Sequence, residues 1–167
     1  MAKVVERPDT TRLYEEDFSA WAERQARLLQ ERRFDELDLD HLIEEVADLR
    51  KAERSAVLSR ARRIMAHFLK LEHSPAPWPR RGWKETVRTQ RADLEEILSP
   101  TLRRELLAEL AAVYGRARQN AARDLVEDKV AERELPTGCP YTLDQILDPD
   151  WLPRNRHGLD DDNPGPV

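Results

Sequence analysis

The sequence predicts an all-α fold: an up-and-down bundle of four main helices, with one long or bent helix and a short C-terminal helix. Apolar residues recur at steps of three and four along most of the chain, the spacing of a helix with one buried face. Charged residues make up 37% of the 167 residues and aromatic residues only 6%, a composition that suits helices with a single apolar stripe. The five glycines are too few for the turns of an all-β protein.

The first two helices follow from capping residues and apolar spacing. Thr10 or Thr11 can cap a first helix, which we expect to run to Arg33. The second helix should begin at Asp38 or Asp40 and reach position 73, because no proline or glycine interrupts that segment. Its apolar stripe stops over residues 50–54, which predicts a bend or a solvent-crossing stretch there.

Prolines and glycines separate the later helices. Three prolines within residues 74–79 exclude a helix there, so the third helix should follow Gly82. Ser99 and Pro100 have the pattern of an N-cap followed by proline at the first helical position, and they open a fourth helix towards Val130. Gly115 lies in the middle of that helix, where it suggests a close helix crossing.

The end of the chain predicts one more helical turn and then a tail. Thr142 and Gln145 form a capping box that opens a short helix, which Pro149 ends. We expect a single helical domain over residues 13–153, a disordered N-terminus over 1–12 and a disordered tail over 154–167. Nine apolar residues should lie in the core: Trp21, Leu42, Val46, Ile64, Phe68, Leu94, Leu106, Leu110 and Val113.

Composition also bounds the setting of the protein. Cys139 is the single cysteine, so no intrachain disulfide can form, and no stretch approaches the ~20 apolar residues of a membrane span. We therefore expect a cytoplasmic protein. Net charge is segregated along the chain: −7 over residues 1–49, +9 over 50–91 and −7 over 92–167. This pattern either draws neighbouring helices together or offers a patch to an anionic partner.

The order of landmarks along the chain resembles a known family. They are Tyr14-Glu15-Glu16-Asp17-Phe18 with Trp21, Glu36-Leu37-Asp38, Leu42-Ile43-Glu44-Glu45-Val46, His67-Phe68-Leu69-Lys70-Leu71, Gly82-Trp83, and the segment from Cys139 to Leu147. Over roughly residues 13–153 the chain resembles the domain-of-unknown-function family numbered twenty-nine, an all-helical family found mainly in bacteria. The resemblance implies a helical fold and a bacterial, cytoplasmic setting, and it implies no activity.

One helical face carries a possible set of metal ligands. His41, Glu44 and Asp48 lie at positions i, i+3 and i+7, so an imidazole and two carboxylates share one side of the second helix. No second Glu-x-x-His pair occurs to complete a carboxylate-bundle site. A solvated helix face is the alternative interpretation, and we predict no bound metal and no cofactor.

A second polar set would serve a hydrolytic enzyme. Glu45 and His67 both lie beside apolar stripe positions, and Lys70 is one turn after the histidine. On a straight helix the first two would be roughly 33 Å apart, so they could meet only through a break near residue 50 or across a dimer. The alternative is a structural histidine bonded to a neighbouring helix. Cys139, on a loop before a proline, is interpreted as a packing residue.

The basic middle segment contains a candidate nucleic-acid surface. Arginines bind phosphates and indoles stack on bases, and the segment combines both. The candidates are Trp78, Arg80, Arg81, Trp83, Lys84 and Arg88. The alternative is that the tryptophans close the end of the bundle while the arginines pair with acidic neighbours.

These observations favour a non-catalytic helical interaction or scaffold module that self-associates, because an overlong amphipathic helix requires a partner for its apolar face. The expected partner is a second copy or another protein, with nucleic acid as a less favoured alternative and no membrane. An enzyme centred on Glu45 and His67, or on His41 and Glu44, is the third hypothesis, and the absence of known catalytic motifs weighs against it.

Overall fold

The computed structural model describes residues 10–159 and is 72% helical. It contains six α-helices, and no strand occurs within that range, so the fold class is all-α as predicted. Two single 3₁₀ turns, Phe34–Glu36 and Glu132–Glu134, lie between helices. The helices are α1 Thr10–Glu16, α2 Phe18–Gln30, α3 Leu39–His73, α4 Arg80–Ile97, α5 Pro100–Asp124 and α6 Leu143–Leu147.

Side-chain caps set several of these boundaries. Asp17 interrupts the predicted first helix, because it leaves the helical conformation and its carboxylate accepts a hydrogen bond from the Ala20 amide. Ser99 caps α5 with Pro100 in its first turn, as the sequence predicts. The capping box is also present, since Thr142 accepts from the Gln145 amide and the Gln145 side chain accepts from the Thr142 amide.

The third helix is continuous through residues 50–54, where the sequence predicts a bend or a solvent-crossing stretch. Residues 50–53 are exposed. By its contacts the chain divides into two compact units, and the boundary lies between Ala52 and Glu53, within this same stretch. We call the described parts the N-terminal unit, residues 10–52, and the C-terminal unit, residues 53–159. The single domain over 13–153 stays a prediction.

The C-terminal unit contains most of the buried apolar side chains. Five of the nine predicted core residues are buried here: Ile64, Phe68, Leu94, Leu106 and Val113. Leu110 is half-buried against the same core. The edges of Tyr141 and Trp151 pack on the ring of Phe68, with centroids 5.1 and 5.2 Å away. The segment around α6 therefore closes the core.

Two expectations for this unit differ from the structure. Gly115 is exposed, and a Cβ atom built there would meet nothing within 4 Å, so it marks no helix crossing. Residues 154–159, expected in a disordered tail, lie along the end of α3: Asn155 is buried and donates hydrogen bonds to the Leu71 and Ser74 carbonyls. The remainder of that predicted tail, and residues 1–9 of the predicted disordered N-terminus, lie outside the described residues.

Candidate interaction surface

A cluster of aromatic and polar side chains holds the N-terminal unit together. The Tyr14 hydroxyl donates to Glu45 Oε1 at 2.5 Å, and the indole N–H of Trp21 donates to Asp38 Oδ2 at 3.2 Å. The same Asp38 oxygen lies 2.8 Å from His41 Nδ1, and the His41 ring stacks on Tyr14 with centroids 4.0 Å apart. These contacts fix which edge of α3 faces α1 and α2.

The electrostatics of the cluster follow from these hydrogen bonds. Burial disfavours the charged form of Asp38, but the hydrogen bonds from His41 and Trp21 outweigh that effect and lower its pKa. The hydrogen bond to the Glu45 carboxylate, followed by burial, raises the pKa of Tyr14 to about 12. At neutral pH, Tyr14 therefore stays a hydrogen-bond donor to Glu45, and Asp38 stays a charged acceptor.

The orientation of α3 leaves an apolar stripe at the surface. At 100° per residue, its four members fall within about 120° of arc on one side of the helix. Each of them is 55–68% exposed: Leu39, Ile43, Val46 and Leu49, which together we call the α3 stripe. The prediction that Val46 is buried is therefore wrong, and Leu42 is only half-buried, whereas Trp21 is buried as expected.

The structure does not assemble the predicted metal face. His41 bonds Asp38, a partner that lies outside the predicted set of ligands. Glu44 is exposed, and Asp48 forms a 2.7 Å ion pair with Lys51. Within residues 10–159, no three His, Cys, Asp or Glu side chains lie close enough to hold a metal ion. That the protein binds no metal stays a prediction.

Glu45, His67 and Lys70 have separate partners. Glu45 accepts from Tyr14 in the N-terminal unit, whereas His67 Nδ1 lies 2.9 Å from the Arg63 carbonyl of its own helix. The expected bond from His67 to a neighbouring helix is thus replaced by one within α3. Burial is the main cause that lowers the pKa of His67. The buried Lys70 pairs with Asp124 at 2.9 Å.

Half of the predicted basic-aromatic patch serves the fold. Arg80 is buried, and its guanidinium donates to the Leu71 carbonyl at 2.8 Å. Trp83 packs against the core, and the Lys70 ammonium lies 5.4 Å from its ring centroid. Lys84 is half-buried. Of the alternative interpretation, the packing of Trp83 is present, but Arg80 bonds a carbonyl rather than an acidic neighbour.

The other half of the patch lies at the surface. Trp78 is 92% exposed, and Arg81 is exposed as well. Arg88 is exposed but holds Glu85 through two hydrogen bonds, which lower the pKa of that carboxyl. The exposed Trp78 and Arg81 are therefore what remains of the predicted nucleic-acid surface.

Residues 13–152 match the family model described as Domain of unknown function DUF29. Comparison of the chain with curated proteins and with solved structures gives no match. No helix within residues 10–159 has the length and apolar character needed to cross a membrane. Because the family match covers well over half of the chain, the protein belongs to the DUF29 family.

Proposed function

We propose that the protein is a non-catalytic interaction module that self-associates through the α3 stripe. The observation that carries this proposal is the exposure of four aliphatic side chains on one helical face. Single apolar residues at a surface are ordinary, but a contiguous apolar stripe marks a surface that another molecule covers. The occupant we propose is the same stripe of a second copy.

The energetics suit a reversible dimer. Full burial of one such side chain stabilises by about 1.5–3 kcal/mol, and roughly half of that is still to be gained at each position. In a symmetric pair the stripe contributes twice, which approaches the ~4–15 kcal/mol that association costs in lost freedom. Because the gain and the cost nearly cancel, we expect a weak dimer that forms at high protein concentration rather than a permanent one.

Charge placement favours an antiparallel pair. Asp40 and Lys51 lie eleven residues apart, three helical turns, and so flank the stripe on the same side. A two-fold axis crossing α3 between residues 45 and 46 brings Asp40 of each copy beside Lys51 of the other. In that register the stripe residues of one copy fall between those of the second, which is the interdigitation that helix packing requires.

The test is the mass of the protein in solution, measured by sedimentation over a range of concentrations. We expect a reversible monomer–dimer equilibrium, which Val46→Glu shifts to monomer with an unchanged circular dichroism spectrum. Leu107→Glu is the matched control, because Leu107 is 59% exposed on α5 in the other unit. A wild-type chain that stays monomeric at all concentrations would contradict the proposal, as would equal effects of both substitutions.

A charge exchange tests the register. Asp40→Lys and Lys51→Asp should each weaken the dimer, since each places like charges opposite one another across the interface. The double variant should restore most of the wild-type affinity, although it still lacks the pair of Lys51 with Asp48 within the helix. Additive losses in the double variant would rule out the antiparallel pairing and leave a different register of the same stripe.

The proposal also includes the order of the helices, the cellular location and the source of the protein. We propose an up-and-down order of the four main helices, a cytoplasmic location and a bacterial source. The family match and the lone, half-buried Cys139 support this setting.

A nucleic-acid-binding regulator is the second candidate function, and the exposure of Trp78 is the observation that favours it.

A further inference from the structure

A cavity of about 420 Å³ lies in the C-terminal unit between α4, the start of α5 and the segment after α6. Four of its lining residues are apolar: Ala92, Leu98, Leu147 and Pro149. The volume falls in the range of small-molecule sites, which are mostly apolar with a few placed polar groups. The polar groups here are three arginines and one glutamate, which the sequence analysis did not bring together.

Arg91 is the central cation of this cavity and is only 6% exposed. Its guanidinium donates to the carbonyls of Gln145 and Trp151 at 2.8 Å, of Ile146 at 2.9 Å and of Pro149 at 3.3 Å. Four of its five N–H groups are thus held in fixed directions. These bonds leave one N–H group for a ligand, so Arg91 would act mainly as a positive charge held in a fixed position.

Backbone carbonyls rather than carboxylates accept the hydrogen bonds of Arg91. Carbonyl oxygens satisfy its hydrogen bonds without neutralising it, and within residues 10–159 no carboxylate lies at ion-pair distance from it. Burial lowers its pKa, while Asp148 and Asp150 act in the opposite direction from farther away. A buried cation that has no described carboxylate in contact with it favours an anion that can enter the cavity beside it.

Arg88 and Arg103 line the same cavity from the exposed side. Arg88 holds Glu85, and Arg103 pairs with Asp144 at 2.8 Å, with exposed side chains in both pairs. Exposed pairs of this kind stabilise by only about 0–1 kcal/mol, so either arginine can exchange its carboxylate for a ligand. Glu95 is the single carboxylate in the lining itself, whereas Glu85 and Asp144 neutralise Arg88 and Arg103 from outside it.

We propose that this cavity binds a phosphate monoester with a small apolar body. A phosphate would replace Glu85 and Asp144 as the counterion of Arg88 and Arg103, whose guanidinium groups then present the paired donors that phosphate oxygens accept. The apolar body would lie on the Leu98 and Leu147 side of the cavity. This site is independent of the α3 stripe, which belongs to the N-terminal unit.

Phenyl phosphate is the probe, with binding followed by isothermal titration calorimetry and by amide chemical shifts of the intact protein. We expect saturable binding at millimolar concentration or below, with the largest shifts at Ala92, Leu98 and Leu147. Arg103→Gln and Arg88→Gln should each weaken it about tenfold, the loss of one charged hydrogen bond. Arg104→Gln, a change to the adjacent exposed residue outside the lining, should not.

The proposal is overturned by no saturable binding of phenyl phosphate, by shifts confined to another surface, or by equal affinities of Arg103→Gln and Arg104→Gln. Inorganic phosphate and phenol serve as the two partial probes. Binding of inorganic phosphate as tight as that of phenyl phosphate would reduce the cavity to an adventitious anion site. Binding of phenol as tight as that of phenyl phosphate would show that the guanidinium groups do not recognise the phosphate.

Discussion

Single polar side chains close the end of α3. The last carbonyls of a helix lack intrahelical partners, and here residues from distant parts of the chain supply them. Asn155 bonds the carbonyls of Leu71 and Ser74, the Arg156 amide bonds that of Glu72, and His157 Nε2 donates to that of His73. Hydrogen bonds rather than apolar burial thus fix residues 155–157, which is why their polar composition suggested a disordered tail.

Replacing Gly115 with alanine should stabilise the protein. The residue is exposed within α5, and an added Cβ atom meets no neighbour, so only the helix propensity changes. The gain in the free energy of unfolding should be about 1 kcal/mol, seen as a rise in the thermal midpoint of about 2–4 °C. Gly138→Ala is the control, since its Cβ also meets nothing but the residue lies outside any helix. A rise no larger than that of the control would contradict the explanation.

At the scale of elements, the third helix shows what apolar spacing can and cannot predict. Its bounds follow from the absence of prolines and glycines, and the burial of Ile64 and Phe68 follows from their spacing. The face of its first half does not, because the half-buried Tyr14 and the buried Trp21 direct their polar atoms to Glu45 and Asp38. Hydrogen-bond partners thirty-one and seventeen residues away decide that rotation, and no local pattern encodes them.

Two histidines on α3 should make stability depend on pH. Burial is the main cause that lowers the pKa of both His67 and His73 below the usual value near 6.5. As the pH falls below that value, the unfolded chain takes up protons before the folded chain does, so the free energy of unfolding decreases. Stability should thus be full above about pH 7 and decline towards pH 5. Urea titrations at several pH values measure the slope.

Substitution of each histidine assigns that slope. His67→Gln and His73→Gln should each flatten the pH dependence in this window, because glutamine does not titrate. The lowered pKa of Asp38 acts only at more acidic pH, below the ordinary value of its carboxyl, so it does not contribute here. Variants with the wild-type slope would show that other groups cause the acid sensitivity.

For the whole molecule, the segregation of charge along the sequence has a structural counterpart inside the C-terminal unit. Basic residues of α3 pair with acidic residues of α4 and α5. The pairs are Arg54 with Glu105 and Glu109, Arg60 with Asp93, and Lys70 with Asp124. The sequence could predict this matching from net charges alone, but it could not show that Arg80 and Arg91 would be buried against carbonyl groups.

The burial of Arg80 separates the two interpretations of the basic segment. Arg80→Glu should lower the free energy of unfolding by about 3 kcal/mol or more. The substitution removes a buried hydrogen bond and places a carboxylate near the negative end of α3. Arg81→Glu, one residue later at the surface, should change stability by no more than about 0.5 kcal/mol.

Fluorescence anisotropy with labelled oligonucleotides tests whether the same segment binds nucleic acid. If the exposed pair Trp78 and Arg81 binds nucleic acid, affinity should fall with salt by about one unit of log–log slope per phosphate engaged. Binding at physiological salt that both Trp78→Ala and Arg81→Glu abolish would make nucleic acid the partner. We expect no such binding, since most arginines of the segment already hold groups within their own unit.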